Sequence, residues 1–394
     1  MRIRKEKRMF RCHSHSRAFF ILVLFALAVL PRTAKAQAPE RFFDTASAPK
    51  DNVRLTIFFP SVKTLKHILA LKAQGFIPYD NLEIVGVYHV KEKTNYADSA
   101  KFIQDEKIPN VHFHAVEADL ELANLYQKNP ASDEFRKIFD LSDGIIFFGG
   151  PDMPPATYGE KTDFLTVIED PFRHYLELSM IFHLLGGLQN PEFKPFLEDR
   201  PGFPILGICL GMQSLSVGTG GTMIQDLWSE VYGKKSVEEI LTLDPTIWHK
   251  NPYAMIAPQD PALCPYMLHP IRFLPEGRVW KILGMTADDH PLVASSHHQA
   301  VDTLGKGFQV VARSMDGRIV EGIQHEKFPN VLGVQFHPEF RKLWDTTPEY
   351  KIAPDDPELF GYRTVLDANP PSYEFHKKLW LWFFGAVKDA DRAK

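Results

Sequence analysis

The sequence has 394 residues, with 45 Lys or Arg, 49 Asp or Glu and a formal net charge of −4. No block rich in Lys or Arg stands out beyond the amino-terminal segment, so we exclude nucleic acid as a partner. Three cysteines are too few for a disulfide framework, and a chain of this length must be held by a hydrophobic core.

The amino-terminal segment 1–38 has the three parts of an export signal. A basic opening is followed by an apolar run of 13 residues, 18–30, and by small residues up to Ala36 and Ala38. The alternative is an uncleaved membrane anchor, but 13 apolar residues fall short of the ~20 that cross a bilayer. We therefore expect cleavage after Ala36 or Ala38 and a periplasmic or secreted protein, with no membrane span in the mature chain. Cleavage after Ala36 removes nine basic residues and one acidic residue, which leaves a net charge of −12.

Strand-like and helix-like segments alternate after a lead-in at 39–52. This alternation predicts an α/β fold with a doubly wound, mostly parallel sheet and helices on both faces. Apolar runs typical of buried strands occupy 53–59, 82–90, 111–118, 144–148 and 203–208. Segments with helical spacing of apolar residues occupy 61–76, 120–129 and 175–187.

The carboxyl-terminal third has a different pattern. From 268 onward the strand-like pieces "HPIRFL", "PLVASSHH", "GFQVVARS", "IVEGIQH" and "VLGVQF" are short, and the turn signals "PEG" and "MDG" predict antiparallel hairpins attached to the sheet. Irregular insertions are predicted near 229–265 and 341–371. The aromatic run at 373–387 predicts a terminal helix that packs on the body, since it carries too few basic residues for a membrane-surface helix. We therefore predict one domain over 53–394.

The segment "GICLG" places Cys209 between Gly207 and Gly211, where a strand-like run meets a helix-like run. This is the pattern of a nucleophile elbow, in which a sharp turn presents the central residue and glycines avoid clashes. A helix N-terminus favours the reactive thiolate, and the backbone N–H of Leu210 would face an oxyanion. The alternative is a buried structural cysteine in an ordinary strand-to-helix turn.

Two further segments supply the partners that a nucleophilic cysteine needs. In "GVQFHPEF", proline biases His337 to an extended conformation, so the side chains of His337 and Glu339 project to the same side. In "DGIIFFGGPD", Gly149 or Gly150 can offer a second N–H to an oxyanion, although a plain turn is the alternative. The sequence thus indicates a cysteine, a histidine base and an orienting carboxylate.

Together these segments resemble the class I glutamine amidotransferase-like superfamily, and more narrowly the γ-glutamyl-γ-aminobutyrate hydrolase group, peptidase family C26. The narrower resemblance covers roughly 143–228 and 268–340 and includes "FFGGPDMPPATYG", "PILGICLGMQSL", "SSHHQAV" and "VLGVQFHPE". It implies a flavodoxin-like fold and cleavage of a small-molecule or peptide γ-glutamyl amide through a thioester, without a cofactor. Homodimerisation is left open.

The resemblance also implies roles for individual residues. Cys209 would be the nucleophile, His337 the general base and acid, and Glu339 the group that orients the histidine. The N–H groups of Leu210 and Gly150 would form the oxyanion hole. The residues expected to contact substrate or line its pocket are Gly149, Gln213, His297, His298 and Gln299.

Other interpretations remain at this point. Paired His297 and His298 suggest a metal site, but adjacent residues on a strand face opposite ways, so we expect no metal. A glutaminase component of an amidotransferase and a non-catalytic binding protein on the same fold are the rival functions. The substrate stays open because Leu210 follows the cysteine where the group more often carries arginine, and because 53–142 matches the group poorly.

Overall fold

A ten-stranded sheet forms the centre of the protein in the computed structural model, which describes residues 40–47 and 52–392. The described residues belong to one unit, 39–394, and the predicted signal peptide 1–38 lies outside them. Ten of the twelve strands in the described residues form this sheet, and β6 and β9 pair in a separate two-stranded sheet. The strands are β1 (Val53–Phe58), β2 (Leu82–His89), β3 (Val111–Val116), β4 (Gly144–Phe147), β5 (Ile205–Ile208), β6 (Met223–Ile224), β7 (Met267–Phe273), β8 (Leu292–Ser295), β9 (Ala300–Val301), β10 (Phe308–Ser314), β11 (Val320–His325) and β12 (Val331–Val334).

Helices connect and cover these strands. Six of them have nine residues or more and close a crossover or cover a face of the sheet, and most of the others are single turns. The helices are α1 (Phe42–Thr45), α2 (Val62–Ala73), α3 (Tyr96–Asp105), α4 (Ser132–Asp140), α5 (Pro171–Leu185), α6 (Leu210–Gly218), α7 (Leu227–Glu230), α8 (Val237–Ile240), α9 (Tyr253–Ile256), α10 (Arg278–Ile282), α11 (Tyr362–Asp367) and α12 (Ser372–Arg392).

The parallel half of the sheet has the order β3-β2-β1-β4-β5-β12. Its strands are buried on both faces, as β4 demonstrates: Ile145 and Phe147 pack in one core and Ile146 packs in the other. Helices α2 and α12 cover one face, and α4, α5 and α6 cover the opposite face. The predicted doubly wound, mostly parallel α/β architecture is therefore confirmed.

The antiparallel extension continues the same sheet through β11, β10, β7 and β8. The "MDG" turn joins β10 to β11, with Gly317 at a φ of 78°. Two details of the prediction are wrong. The "PEG" segment opens α10 instead of a hairpin, because Gly277 stands at the N-cap of that helix. The "VLGVQF" strand, β12, is antiparallel only to β11 and pairs in parallel with β5, so it joins the two halves.

The helix expected over 120–129 is also wrong, since only a short 3₁₀ turn, Leu122–Asn124, forms there. Asn124 accepts a hydrogen bond from the Glu121 backbone N–H, and Asn129 accepts one from that of Ala131. Such side-chain bonds to the local backbone compete with the helical pattern. Helices α3 and α4 make the crossovers on either side instead.

The terminal helix α12 packs on the body as expected, with Phe375, Trp380 and Phe383 fully buried. Trp380 Nε1 donates a hydrogen bond of 3.0 Å to the backbone oxygen of Pro338, which fixes the turn between His337 and Glu339. Among the described residues, no helix combines the length and the apolar character that crossing a membrane requires.

Candidate active site

Cys209 lies at the sharp turn between β5 and α6. Its φ of 52° falls in a region that side chains other than glycine rarely adopt, and strain of this kind is typical of functional sites. A Cβ on Gly211 would lie 2.1 Å from the Phe147 backbone oxygen, and one on Gly207 would lie 2.6 Å from that of Gly211. Both flanking glycines are therefore needed for the chain to make this turn.

The parallel pairing of β12 with β5 brings His337 and Glu339 to Cys209. His337 Nδ1 lies 2.7 Å from Glu339 Oε1, and the other side of the ring forms a side-chain hydrogen bond with Cys209. All three side chains are buried. A Cβ on Gly149 would lie 2.7 Å from His337 Cε1 and 3.4 Å from Cys209 Cβ, so the first glycine of the pair is also at this point.

The electrostatics of this group favour a protonated imidazole. Burial alone would lower the pKa of His337, but the negative charges of Glu339 and Cys209 outweigh it and raise that pKa to about 10. Burial would raise the pKa of Glu339, and the facing His337 instead keeps it below its ordinary value. The histidine is thus stabilised as an imidazolium by the facing Glu339 carboxylate.

Arg173 on α5 binds the backbone at the glycine pair, Gly149 and Gly150. One guanidinium nitrogen, Nη2, donates to the backbone oxygens of Phe148 at 2.8 Å and Gly149 at 3.1 Å. The N–H and C=O of a trans peptide point in opposite directions, so the Gly150 N–H points away from this arginine. Arg173 is buried, pairs with Glu177 at 2.9 Å and stacks on Phe59 at 3.7 Å.

Arg173 was not predicted from the sequence, although a signal was present. A charged pair at helical spacing, Arg173 and Glu177, interrupts a helix whose other residues are mostly apolar. A Cβ on Gly150 would lie 1.8 Å from Arg173 Nη1, which explains why the second position of the pair is also glycine.

Two glutamines complete the wall beside the sulfur. Gln213 is buried instead of facing solvent, and its Nε2 donates to the Gln299 backbone oxygen at 3.2 Å and to Gln335 Oε1 at 3.3 Å. Gln335 Nε2 in turn lies 3.6 Å from Cys209 Sγ. Gln335 was not predicted, because it reads as an ordinary residue of the "VLGVQF" strand.

The paired histidines diverge. His297 points into the protein, where its Nδ1 lies 2.9 Å from the Gln299 backbone oxygen. His298 lies between Asp152 and Asp226, at 3.0 and 3.2 Å. Burial would lower the pKa of His298, but these two carboxylates raise it to about 9.

A cavity of about 270 Å³ opens onto the sulfur. The turn between β1 and α2 supplies Phe59 to the lining of this cavity, and α2 supplies Lys63 and His67. Lys63 Nζ donates to Tyr266 Oη at 2.9 Å, which puts a cation at this wall. The region 53–142, which the resemblance did not cover, therefore contributes to the site. The wall opposite includes Gly149, Gly150, Tyr266, Ser296 and the His337–Glu339 pair.

The second cysteine of the described chain lies elsewhere. Cys264 is buried in the insertion, where Asn251 Nδ2 approaches its sulfur at 3.2 Å. Burial raises the pKa of the Cys264 thiol to about 11, so this cysteine is expected to be unreactive.

A mostly parallel sheet covered by helices, with antiparallel strands from the carboxyl-terminal part of the chain, is the fold of the class I glutamine amidotransferase-like proteins. Residues 83–339 match the family model of peptidase C26. The match spans more than half of the chain, and the chain belongs to the peptidase C26 family and is a hydrolase.

Individual relatives agree with this assignment. The glutamine amidotransferase-like protein YvdE of Lactococcus lactis is 31% identical over 215 residues, which cover 55% of this chain and 72% of that protein. The gamma-glutamyl-gamma-aminobutyrate hydrolase PuuD of Escherichia coli K12 is 30% identical over 212 residues, which cover 54% of this chain and 67% of that protein.

Proposed function

We propose that the protein hydrolyses γ-glutamyl amide bonds through a γ-glutamyl thioester on Cys209. The observation that carries this proposal is the buried group of Cys209, His337 and Glu339 at one end of an open cavity. The γ-glutamyl substrate is supported by the name of the related hydrolase from Escherichia coli.

In the first half-reaction, the Cys209 thiolate attacks the amide carbonyl carbon and the carbonyl oxygen becomes an oxyanion. The N–H groups of Leu210 and Gly150 bind that oxyanion. The His337 imidazolium then protonates the leaving amine as the C–N bond breaks, which leaves a thioester and a neutral imidazole. A single oxyanion donor contributes about 3 kcal/mol to such a step.

In the second half-reaction, water attacks the thioester carbonyl and neutral His337 takes its proton. The C–S bond breaks, free glutamate leaves, and the thiolate and imidazolium are restored. Glu339 holds the ring through Nδ1 in both steps, so the other ring nitrogen always faces the sulfur. Arg173 acts as a positioning residue, because it fixes the carbonyls of the glycine pair and thereby the direction of the Gly150 N–H.

Lys63 is the group that we assign to the α-carboxylate of the γ-glutamyl substrate. It carries a positive charge at the wall of the cavity and is exposed enough to reach a ligand. In the wider group the residue after the nucleophile is more often arginine, whereas here it is the apolar Leu210. A cation from the first turn of α2 would supply the missing charge.

We also propose that the protein acts outside the cytoplasm, following its signal-like amino terminus. Fractionation of cells that express the full chain tests this, and accumulation of unprocessed protein in the cytoplasm would contradict it.

A glutaminase component is the second candidate function, because the YvdE relative is named amidotransferase-like. Co-purification with a synthase that accepts ammonia would favour that candidate.

The activity is tested with purified protein lacking residues 1–36 and a panel of γ-glutamyl amines, γ-glutamyl peptides, poly-γ-glutamate and glutamine. We expect release of glutamate or shortened chains from at least one of them, and none with Cys209→Ala. Cys264→Ala is the matched control and should keep wild-type turnover. Full activity of Cys209→Ala would overturn the proposal.

A further inference from the structure

A second group of buried chemistry-bearing side chains lies apart from Cys209. His249 comes from the insertion, His269 from β7, His297 from the segment after β8, and Glu321 from β11. One ligand atom from each of the four lies within 4.8 Å of all the others. Three of these residues have no exposed surface, and His297 is 4% exposed.

The distances between the donor atoms are close to those expected between ligands of a single ion. His249 Nδ1 lies 3.0 Å from Glu321 Oε1, and His269 Nε2 lies 4.0 Å from the same oxygen. Ligands about 2.0–2.1 Å from a tetrahedral ion are separated by about 3.3 Å, which falls between these distances. Yet the His249–Glu321 contact lacks hydrogen-bond geometry, despite its short length.

Several of these atoms have no hydrogen-bond partner within the part of the chain that the structure describes. They are both ring nitrogens of His249, Nε2 of His297 and both carboxylate oxygens of Glu321. Buried polar atoms are nearly always paired in folded proteins, because leaving them unpaired costs free energy. Five such atoms require an explanation. A cation bound by one atom from each residue accounts for one nitrogen of His249, Nε2 of His297 and one oxygen of Glu321.

The outer hydrogen bonds orient the rings for this role. His297 Nδ1 lies 2.9 Å from the Gln299 backbone oxygen and His269 Nδ1 lies 3.2 Å from that of Pro270. A ring that donates through Nδ1 presents the lone pair of Nε2, which is how metal-bound histidines are usually held. His269 Nε2 is 2.8 Å from Ser295 Oγ, so that hydroxyl must rotate away when the nitrogen binds an ion.

We propose that His249, His269, His297 and Glu321 bind a divalent transition-metal ion, with zinc as the best fit. Three imidazole nitrogens and one carboxylate oxygen suit zinc, and four protein donors in a buried site are typical of a structural ion.

The ion would fasten the insertion to the antiparallel half of the sheet. His249 belongs to the insertion, while the other three ligands come from the sheet or its edge. The backbone N–H of His297 also donates a hydrogen bond of 3.0 Å to the backbone oxygen of His249. Ser296 and His298, on either side of His297, lie near Cys209. This role is independent of the proposed hydrolysis, since none of the four ligands contacts the reacting atoms in it.

The test is elemental analysis of protein purified without a histidine tag, before and after incubation with zinc and removal of excess. We expect about one zinc per chain, and a midpoint of thermal unfolding that falls when a chelator removes the ion and recovers when zinc returns. Cobalt(II) in its place should give the visible absorption bands of a four-coordinate ion. His269→Gln and Glu321→Gln should each lower zinc content at least tenfold.

His183→Gln is the matched control, because His183 is a buried histidine on α5 that bonds Ser132 away from the cluster. It should retain the wild-type zinc content. Wild-type protein that stays below a tenth of an equivalent after zinc incubation would overturn the proposal, even if every variant fails to fold. Cobalt absorption that survives in Glu321→Gln and His269→Gln would likewise overturn it.

Discussion

Two buried polar clusters lie in neighbouring parts of this protein and are satisfied in different ways. In the first, Cys209, His337 and Glu339 pair with one another, and the charges of the group offset the cost of burial. In the second, His249 and Glu321 lie close together with atoms that have no hydrogen-bond partner among the described residues. Among the described residues, the first cluster leaves one buried side-chain atom, Glu339 Oε2, without a hydrogen-bond partner, whereas the second cluster leaves five. The comparison suggests chemistry at one and ion binding at the other.

Removal of the base should have the largest effect on the first cluster. We expect His337→Ala to lower kcat by about 10³-fold or more, because neither attack nor protonation of the leaving amine then has a proton carrier. Steady-state kinetics on the best γ-glutamyl substrate measures this. Zinc content should stay at the wild-type level in the same variant, because the two clusters are independent. A parallel loss of zinc would show that zinc binding depends on the first cluster.

Arg173→Met should have the next largest effect. Without its two hydrogen bonds to the backbone, the glycine pair can turn, and we expect kcat to fall about 10²-fold with little change in KM. Arg173→Lys should recover part of the loss. The control is Arg136→Met, which removes ion pairs on the surface of α4 and should leave kcat unchanged. A rise in KM at constant kcat would instead make Arg173 a determinant of substrate binding.

A smaller effect is expected from pH, through His298. The carboxylates of Asp152 and Asp226 raise its pKa in the folded state to about 9, above the ordinary value near 6.5. The contribution of protonated His298 to the free energy of unfolding is therefore complete below about pH 6.5 and is lost as the pH rises through about 9. Urea unfolding across this range should show a decline that His298→Gln reduces by about 2 kcal/mol. Equal declines in both proteins would contradict the ion pairing.

The smallest effect concerns substrate binding at the first cluster. We expect Lys63→Met to raise KM about fivefold with kcat nearly unchanged, because a single exposed cation contributes about 1 kcal/mol to binding a carboxylate. Lys66→Met is the control, since Lys66 lies on the same helix over the Phe102 ring and does not line the cavity. An unchanged KM for Lys63→Met would show that Lys63 does not bind the α-carboxylate of the substrate.

The two clusters also differ in how far their residues could be predicted from the sequence. Cys209, His337 and Glu339 stand in short local motifs next to apolar strands, and the parallel sheet then gathers the ends of those strands at one edge. Arg173 and Gln335 carry no such motif, because their roles arise only when α5 and β12 pack beside the elbow. The second cluster was out of reach for the same reason, since its four residues are spread over 73 positions in different elements.

The local errors have equally specific causes. The segment 120–129 has helical apolar spacing, but Asn124 and Asn129 bond the backbone and stop the helix. The "VLGVQF" strand resembles its antiparallel neighbours in length and composition, and only its pairing with β5 reveals that it belongs to both halves.

The most direct test of the hydrolase account is mass analysis of the protein after rapid acid quenching during turnover of a γ-glutamyl substrate, followed by peptide mapping. The account predicts a γ-glutamyl adduct on the peptide that contains Cys209, and its disappearance as substrate is exhausted. Steady turnover with no adduct under any quench time, or with the adduct on Cys264 instead, would contradict it.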